Sequence, residues 1–385
     1  SAELYKDDDA IRYSEKAVAL SPEDADGHKK LAEMYRRRGD ADKAIASFRM
    51  AIQKNDRLFP VYMELAELLV AKGEADDADR LYRRVVRSAP DEELVAQAGR
   101  LSMQRNLAKG TLVDLENELL PLTLGHPNRR VYRRLLVDVY GQMTFPLMAR
   151  VRFGTRAEAD DARDKLMKIG ARGVKPLLDA LADEQKAQTS TALEVLSYVG
   201  NKGAGSTLAA FAVGTAEQPL RVRAMVATGA LRDPALLAKY EELVAPKDME
   251  AVAPGDPVTI AAAWGVARMG DKKSVPLLSR MLSSGAPEVR AFGAIGLALA
   301  HDKGSAPALE ALARGVDTAR VGEHRSDGTE AERLTAAPQH DVIASVTVDV
   351  AHEHLVANAV ADILARPPQR PLPEHRGRST GGACD

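Results

Sequence analysis

The chain has 385 residues, enough for two ordinary domains, and is 45% hydrophobic but only 4% aromatic, a ring-poor make-up that suits closely packed helices better than a β-sandwich. Its 53 basic and 55 acidic residues leave a formal charge of -2, so no global field draws in nucleic acid or an anionic membrane. The single cysteine, Cys384, excludes a disulfide framework and a cysteine-based structural zinc site, and no apolar run reaches the roughly 18 residues a membrane-spanning helix needs.

The N-terminal third repeats on itself. A shift of 34 residues places Leu31, Ala32, Tyr35, Gly39, Ala44, Phe48 and Ala51 on Leu65, Ala66, Leu69, Gly73, Ala78, Tyr82 and Val85. Alanines at these spacings let two antiparallel helices approach, the glycine ends the first helix, and Phe48 or Tyr82 fills the space between pairs. Each pair leaves one apolar face open for the next pair to bury, which predicts an all-α fold, an α-solenoid of tandem helical hairpins. These residues resemble the tetratricopeptide repeat family over residues 25 to 90, with Pro90 where that family closes a repeat and Asp56 in place of the preceding proline. From Glu92 to about Tyr140 the helix lengths continue while the signature small residues fade, so the array is expected to fill residues 1–142. Stepping backward, Ala10, Ala17 and Pro22 fall under Ala44, Ala51 and Asp56. The array is therefore expected to open in the second helix of a repeat, with more chain upstream of Ser1 or a partner covering the open face.

A connector is expected over 143–156, and a second array over 157–314 with a period near 31. Ile169-Gly170, Val199-Gly200, Leu231, Met269-Gly270 and Ala300 recur as turns, each after a helix rich in small residues. Second helices open with Val-Lys-Pro-Leu-Leu at Val174 or Val-Pro-Leu-Leu at Val275. With Glu288-Val289-Arg290 opening a helix, this pattern resembles short bacterial HEAT repeats of the type found in phycobilin lyase subunits, five units in all. An exposed loop is expected over 315–340, a C-terminal helical cap over 341–366 and a disordered tail over 367–385.

The HEAT resemblance implies that the first helix of each unit turns four positions into a groove. These are Asp160, Asp161, Asp164 and Lys168, then Ser190, Thr191, Glu194 and Tyr198, then Val222, Arg223, Val226 and Ala230, then Ile260, Ala261, Trp264 and Arg268, and last Ala291, Phe292, Ile295 and Leu299. A partner segment over Trp264, Ile260, Arg268, Phe292, Ile295 and Leu299, extended by Arg223 and Tyr198, is one reading of the apolar end. Ordinary core, or cover by the 341–365 segment, is the other. In the first array Lys29, Lys30, Arg36 and Arg37 line one helix surface. Glu33 and Glu64 stand where a carboxylate clamp of the tetratricopeptide type carries asparagines, and the i to i+4 charge spacing also fits a solvated face.

Arg129, Arg130, Arg133, Arg134, Arg150, Arg152 and Arg156 form a basic stripe that could hold an acidic peptide, or nucleic acid through phosphates alone, although no interleaved aromatic platform accompanies it, Asp138 and Glu158 dilute it, a solvated seam between the two arrays fits it too, and the neutral balance argues against nucleic acid. His352-Glu353-His354 invites a metal reading, but residues two apart on a helix do not converge on one ion. No phosphate-cradling glycine loop, nucleophile elbow or zinc-protease helix is present, and no cofactor is expected. The expected function is thus a non-enzymatic scaffold or adaptor with a protein or peptide partner, in cytoplasm or periplasm alike. The alternatives are an accessory subunit of a chromophore-lyase-like enzyme and a phosphate-backbone binder using the Arg129–Arg156 stripe.

Overall fold

Small residues at a spacing of 34 become antiparallel helix pairs in the computed structural model, which describes residues 2–246, 252 and 254–307. After α1 (Ala2–Leu20) come α2 (Ala25–Arg38) with α3 (Ala41–Lys54), α4 (Phe59–Ala71) with α5 (Ala75–Ser88), and α6 (Glu92–Lys109) with α7 (Leu112–Gly125). Every repeated side chain of the register is buried, from Leu31 and Ala32 to Tyr82 and Val85. The paired glycines Gly39 and Gly73 have φ of 87° and 84°, the left-handed region in which a helix stops without a Cβ penalty. Gly110, at φ 72°, ends α6 in the same way, so the glycine stop persists where the other signature residues are lost.

Two helices of 24 residues come next, α8 (Arg130–Phe153) and α9 (Arg156–Asp179), then α10 (Lys186–Val199), α11 (Gly205–Val213) and α12 (Gln218–Ala230). The residues expected to form a connector are mostly the second half of α8. The break is confined to Gly154-Thr155, where the Thr155 side chain accepts from the Glu158 amide and the Glu158 carboxylate accepts from the Thr155 N–H, a capping box opening α9.

The turn expected at Ile169-Gly170 is absent, and with it the first of the five expected hairpins: α9 runs through both residues. The glycines there serve close approach instead. A Cβ on Gly170 would collide with the Val199 carbonyl oxygen at the end of α10, and one on Gly173 would stand 2.8 Å from the Tyr140 ring. Pro176 removes the amide that would bond the Arg172 carbonyl, which the helix tolerates one turn from its end.

The described residues form two compact units, one running to Leu231 and the other starting at Arg232. In the first, α6 packs on α8, α8 on α10 and α10 on α12, so alternate helices form one row. Long-range ion pairs stitch it. The fully buried Glu116 of α7 accepts two 2.8 Å hydrogen bonds from the Arg172 guanidinium of α9, and Asp183, whose side chain is 1% exposed, accepts from Arg134 of α8 at 2.9 to 3.2 Å. The second unit contains α13 (Leu237–Val244), α14 (Pro257–Ala267), α15 (Val275–Met281) and α16 (Pro287–Leu299). α14 packs against α13 and α16 and is buried from Val258 to Ala267, in keeping with a sequence apolar on all sides.

Among the described residues there is no strand, and no helix is long and apolar enough to cross a membrane. The expected loop 315–340, cap 341–366 and tail 367–385 lie outside the described residues, as do His352-Glu353-His354 and Cys384.

Candidate functional site

The sequence-derived candidates separate into three groups. On α2, Lys29 pairs with Glu33 at 3.7 Å, and Arg36 reaches α4, 3.3 Å from Glu64 and 3.8 Å from Glu67. Burial pushes the Glu64 carboxyl up more than Arg36 draws it down. Lys30 and Arg37 are exposed, and among the described residues neither has a carboxylate partner.

In the second unit, Ile260 is 1% exposed, Trp264 7% and Phe292 7%. The Arg268 guanidinium lies over the indole, 4.6 Å from the ring centre, and covers its face. Ile295 and Leu299 are half-buried. Of the two readings of this apolar cluster, the burial of Ile260, Trp264 and Phe292 fits the second, core or cover by another segment, better than an open groove.

The basic stripe also divides. Arg129 donates to the Tyr132 hydroxyl at 2.8 Å and the Ala89 carbonyl at 3.0 Å, Arg130 pairs with Glu184 at 2.9 Å, and Arg133 and Arg134 converge on Asp183. Burial alone would raise the Asp183 carboxyl, but the Arg134 fork, the Gln185 amide and Arg133 outweigh it and hold it below the usual carboxylate range. All four thus have partners within the chain, Arg130 and Glu184 meeting at the surface. Arg150, Arg152 and Arg156 differ: among the described residues no carboxylate lies within ion-pair distance of them.

Tyr198 and Arg223, both named from the sequence, stand on neighbouring helices of the first unit. Arg223 lies 3.8 Å from Glu194. Tyr198 accepts a hydrogen bond from Arg152 of α8, whose guanidinium is also 5.4 Å from the ring centre. That contact leads to two residues that sequence reasoning misses. Phe145 is 37% exposed and Phe153 81% exposed, on α8 with Ala149 between them at helical i, i+4, i+8 spacing. The Phe145 ring lies beside Gly141, whose missing side chain also leaves room for Thr191 of α10. The α8–α10 seam thus carries Phe145 and Thr191 at one end and Arg152 and Tyr198 at the other. The signal for them is an uncharged run, since no residue from Gly141 to Ala149 carries a charge. Reading that run as a connector hides its helical periodicity.

Two clefts of about 240 Å³ each open in the first unit, one rimmed by Glu74, Asp76, Asp77 and Arg105, the other floored by Leu65 and Leu69 between Arg49 and Arg80. Pockets that engulf an organic ligand usually measure roughly 300 to 1,000 Å³. Among the described residues, no group of three or more His, Cys, Asp and Glu side chains is placed to hold a metal ion.

The fold defines the class, an all-helical repeat protein. Residues 35–100 match the tetratricopeptide repeat family model, which covers the end of α2, all of α3, α4 and α5, and the first half of α6. Tetratricopeptide repeats are in general protein-interaction modules. No curated protein matches the chain.

Proposed function

We propose that this chain is a non-enzymatic scaffold or adaptor, part of a bacterial assembly, that binds segments of partner proteins along its row of repeat helices. The observation that carries the reading is the set of exposed side chains on that row. Phe145 and Phe153 stay exposed on α8, and Arg152 and Tyr198 stack on each other across the seam to α10. Exposed rings beside arginine are the side chains that dominate binding energy at protein interfaces, and a scaffold built of stacked pairs presents them on a fixed backbone. The tetratricopeptide match over 35–100 supports the same class of activity. In this reading the helices from α10 onward belong to the short HEAT type, whose first helices face the partner. No observation favours the chromophore-lyase alternative, since the tryptophan on which it depended is buried beneath Arg268.

In-cell photo-crosslinking tests the proposal. A photoreactive residue in place of Gln142, which is exposed on α8, is expected to yield discrete protein adducts, and one in place of the exposed Lys239 on α13 serves as comparison. Equal yields at the two positions, or none at either, would remove the support for a dedicated binding row.

A further inference from the structure

The exposed side of α8 carries an apolar stripe, Phe145, Ala149 and Phe153, on a helix whose uncharged middle turns into an arginine-rich end. In the first half of α8 the neighbouring elements bury what the sequence makes apolar, among them Val131, Leu135 and Val139. In the second half the stripe continues with Phe145 and Phe153 exposed. Around its end stand Arg150, Arg152 and Arg156, which lack carboxylates within ion-pair distance among the described residues, whereas Arg129, Arg130, Arg133 and Arg134 earlier in the same stripe bond to carboxylates or carbonyls of the chain. Arg152 is held in place by Tyr198, so its charge is oriented before any partner arrives.

We propose that the α8–α10 seam is a docking site for an acidic, apolar-anchored peptide segment of a partner protein, with large apolar side chains on Phe145 and Phe153 and carboxylates meeting Arg150, Arg152 and Arg156. The inference rests on the scaffold reading and adds the place and the chemistry of the partner. Charge complementarity selects the occupant: the three cations make no close ion pair among the described residues, although Arg150 feels the charges of Glu158 and Asp161, and they flank a surface that is itself apolar, so a segment mixing glutamate or aspartate with leucine or phenylalanine satisfies both at once. A nucleic-acid strand would find the same arginines, but its phosphates would also face Glu158, Asp160, Asp161 and Asp164 at the start of α9 and Glu194 on α10, all solvent-accessible. Those acids disfavour a polyanion and leave room for a segment with a few well-placed carboxylates.

The test uses the whole chain and three labelled probes in fluorescence anisotropy: a short peptide alternating glutamate with leucine and phenylalanine, the same peptide with lysine for glutamate, and a single-stranded oligothymidine. The acidic peptide is expected to bind, and the lysine peptide and the oligonucleotide to bind at least about tenfold more weakly. The paired exposed-site variant Phe145→Ser with Phe153→Ser should weaken the acidic peptide by about tenfold or more, with unchanged helicity by circular dichroism. So should Arg150→Gln with Arg156→Gln, and both losses should be absent in Lys30→Gln with Arg37→Gln. Binding of the acidic peptide that ignores the α8 variants but falls with the α2 variants would overturn this site and leave the scaffold reading intact. Preference for the oligonucleotide, equal binding of both peptides, or no binding would overturn the site. Crosslinking at position 142 would then decide the broader reading separately.

Discussion

Gly170 and Gly125 are both helical glycines, yet the same substitution should act on them with opposite signs. At Gly170 a methyl group has no room, because the Val199 carbonyl of α10 occupies its place. Gly170→Ala is expected to lower stability by about 2 kcal/mol, since overpacking outweighs the roughly 1 kcal/mol by which alanine favours a helix. Gly125, at the end of α7, has nothing within 4 Å of its absent Cβ, and Gly125→Ala should raise stability by about 0.5 kcal/mol. Urea unfolding of both variants reads the two signs, and a stabilised Gly170→Ala would refute the close approach of α9 and α10.

Asp183 gives a pH dependence at the same scale. Its folded carboxyl is held below the usual range, so its contribution is complete above the unfolded value, near 3.9, and is lost as pH falls through the lower folded value. Arg134→Met should cost about 2 kcal/mol at pH 7, as it leaves a buried carboxylate without its main partner. The gap between parent and variant should narrow as the pH drops below about 4, and unfolding at pH 7 and pH 3 checks it. None of this was legible in the sequence, where Arg134 and Asp183 are 49 residues apart and nothing marks them as partners.

Among the elements, α2 to α5 were the most legible, because packing two helices closely demands small residues at fixed places and those places recur every 34 residues. The stretch from α8 to α9 was the least. Its glycines, Gly170 and Gly173, answer to neighbours rather than to the local backbone, and a glycine that serves close approach looks in the sequence like one that ends a helix. The break that does exist is marked by hydroxyl and carboxylate chemistry at Thr155 and Glu158, a pattern recognisable as an N-terminal capping box. Thr155→Ala should destabilise the first unit by about 1 kcal/mol, and Thr155→Ser by much less; a thermal melt of the two separates the lost cap from lost bulk. The candidate seam was half legible for the same reason: Thr191 and Tyr198 came from the later repeats, while Phe145 and Phe153 lay inside the misread stretch.

Across the whole molecule, the division after Leu231 predicts that a chain ending there keeps its fold. Such a fragment should melt cooperatively by circular dichroism at a midpoint found also in the full chain, and a fragment without a cooperative transition would show that the first unit cannot fold without the second. Within that unit, surface ion pairs join residues about one repeat apart, such as Lys54 with Glu23 at 2.6 Å, Lys72 with Asp42 at 2.7 Å and Arg105 with Asp76 at 2.8 Å. Each is worth little alone, on the order of 0.5 kcal/mol, so they align neighbouring pairs more than they stabilise them.

The Glu116–Arg172 clamp also imposes an order on synthesis. The two residues are 56 apart, and α7 leaves the ribosome well before the guanidinium it needs. Until then its carboxylate must stay hydrated, which keeps α7 from settling finally into place. The early pairs α2–α3 and α4–α5 can close as soon as they emerge, whereas the middle of the nascent chain waits for α9, and that interval is when a chaperone would have most to hold.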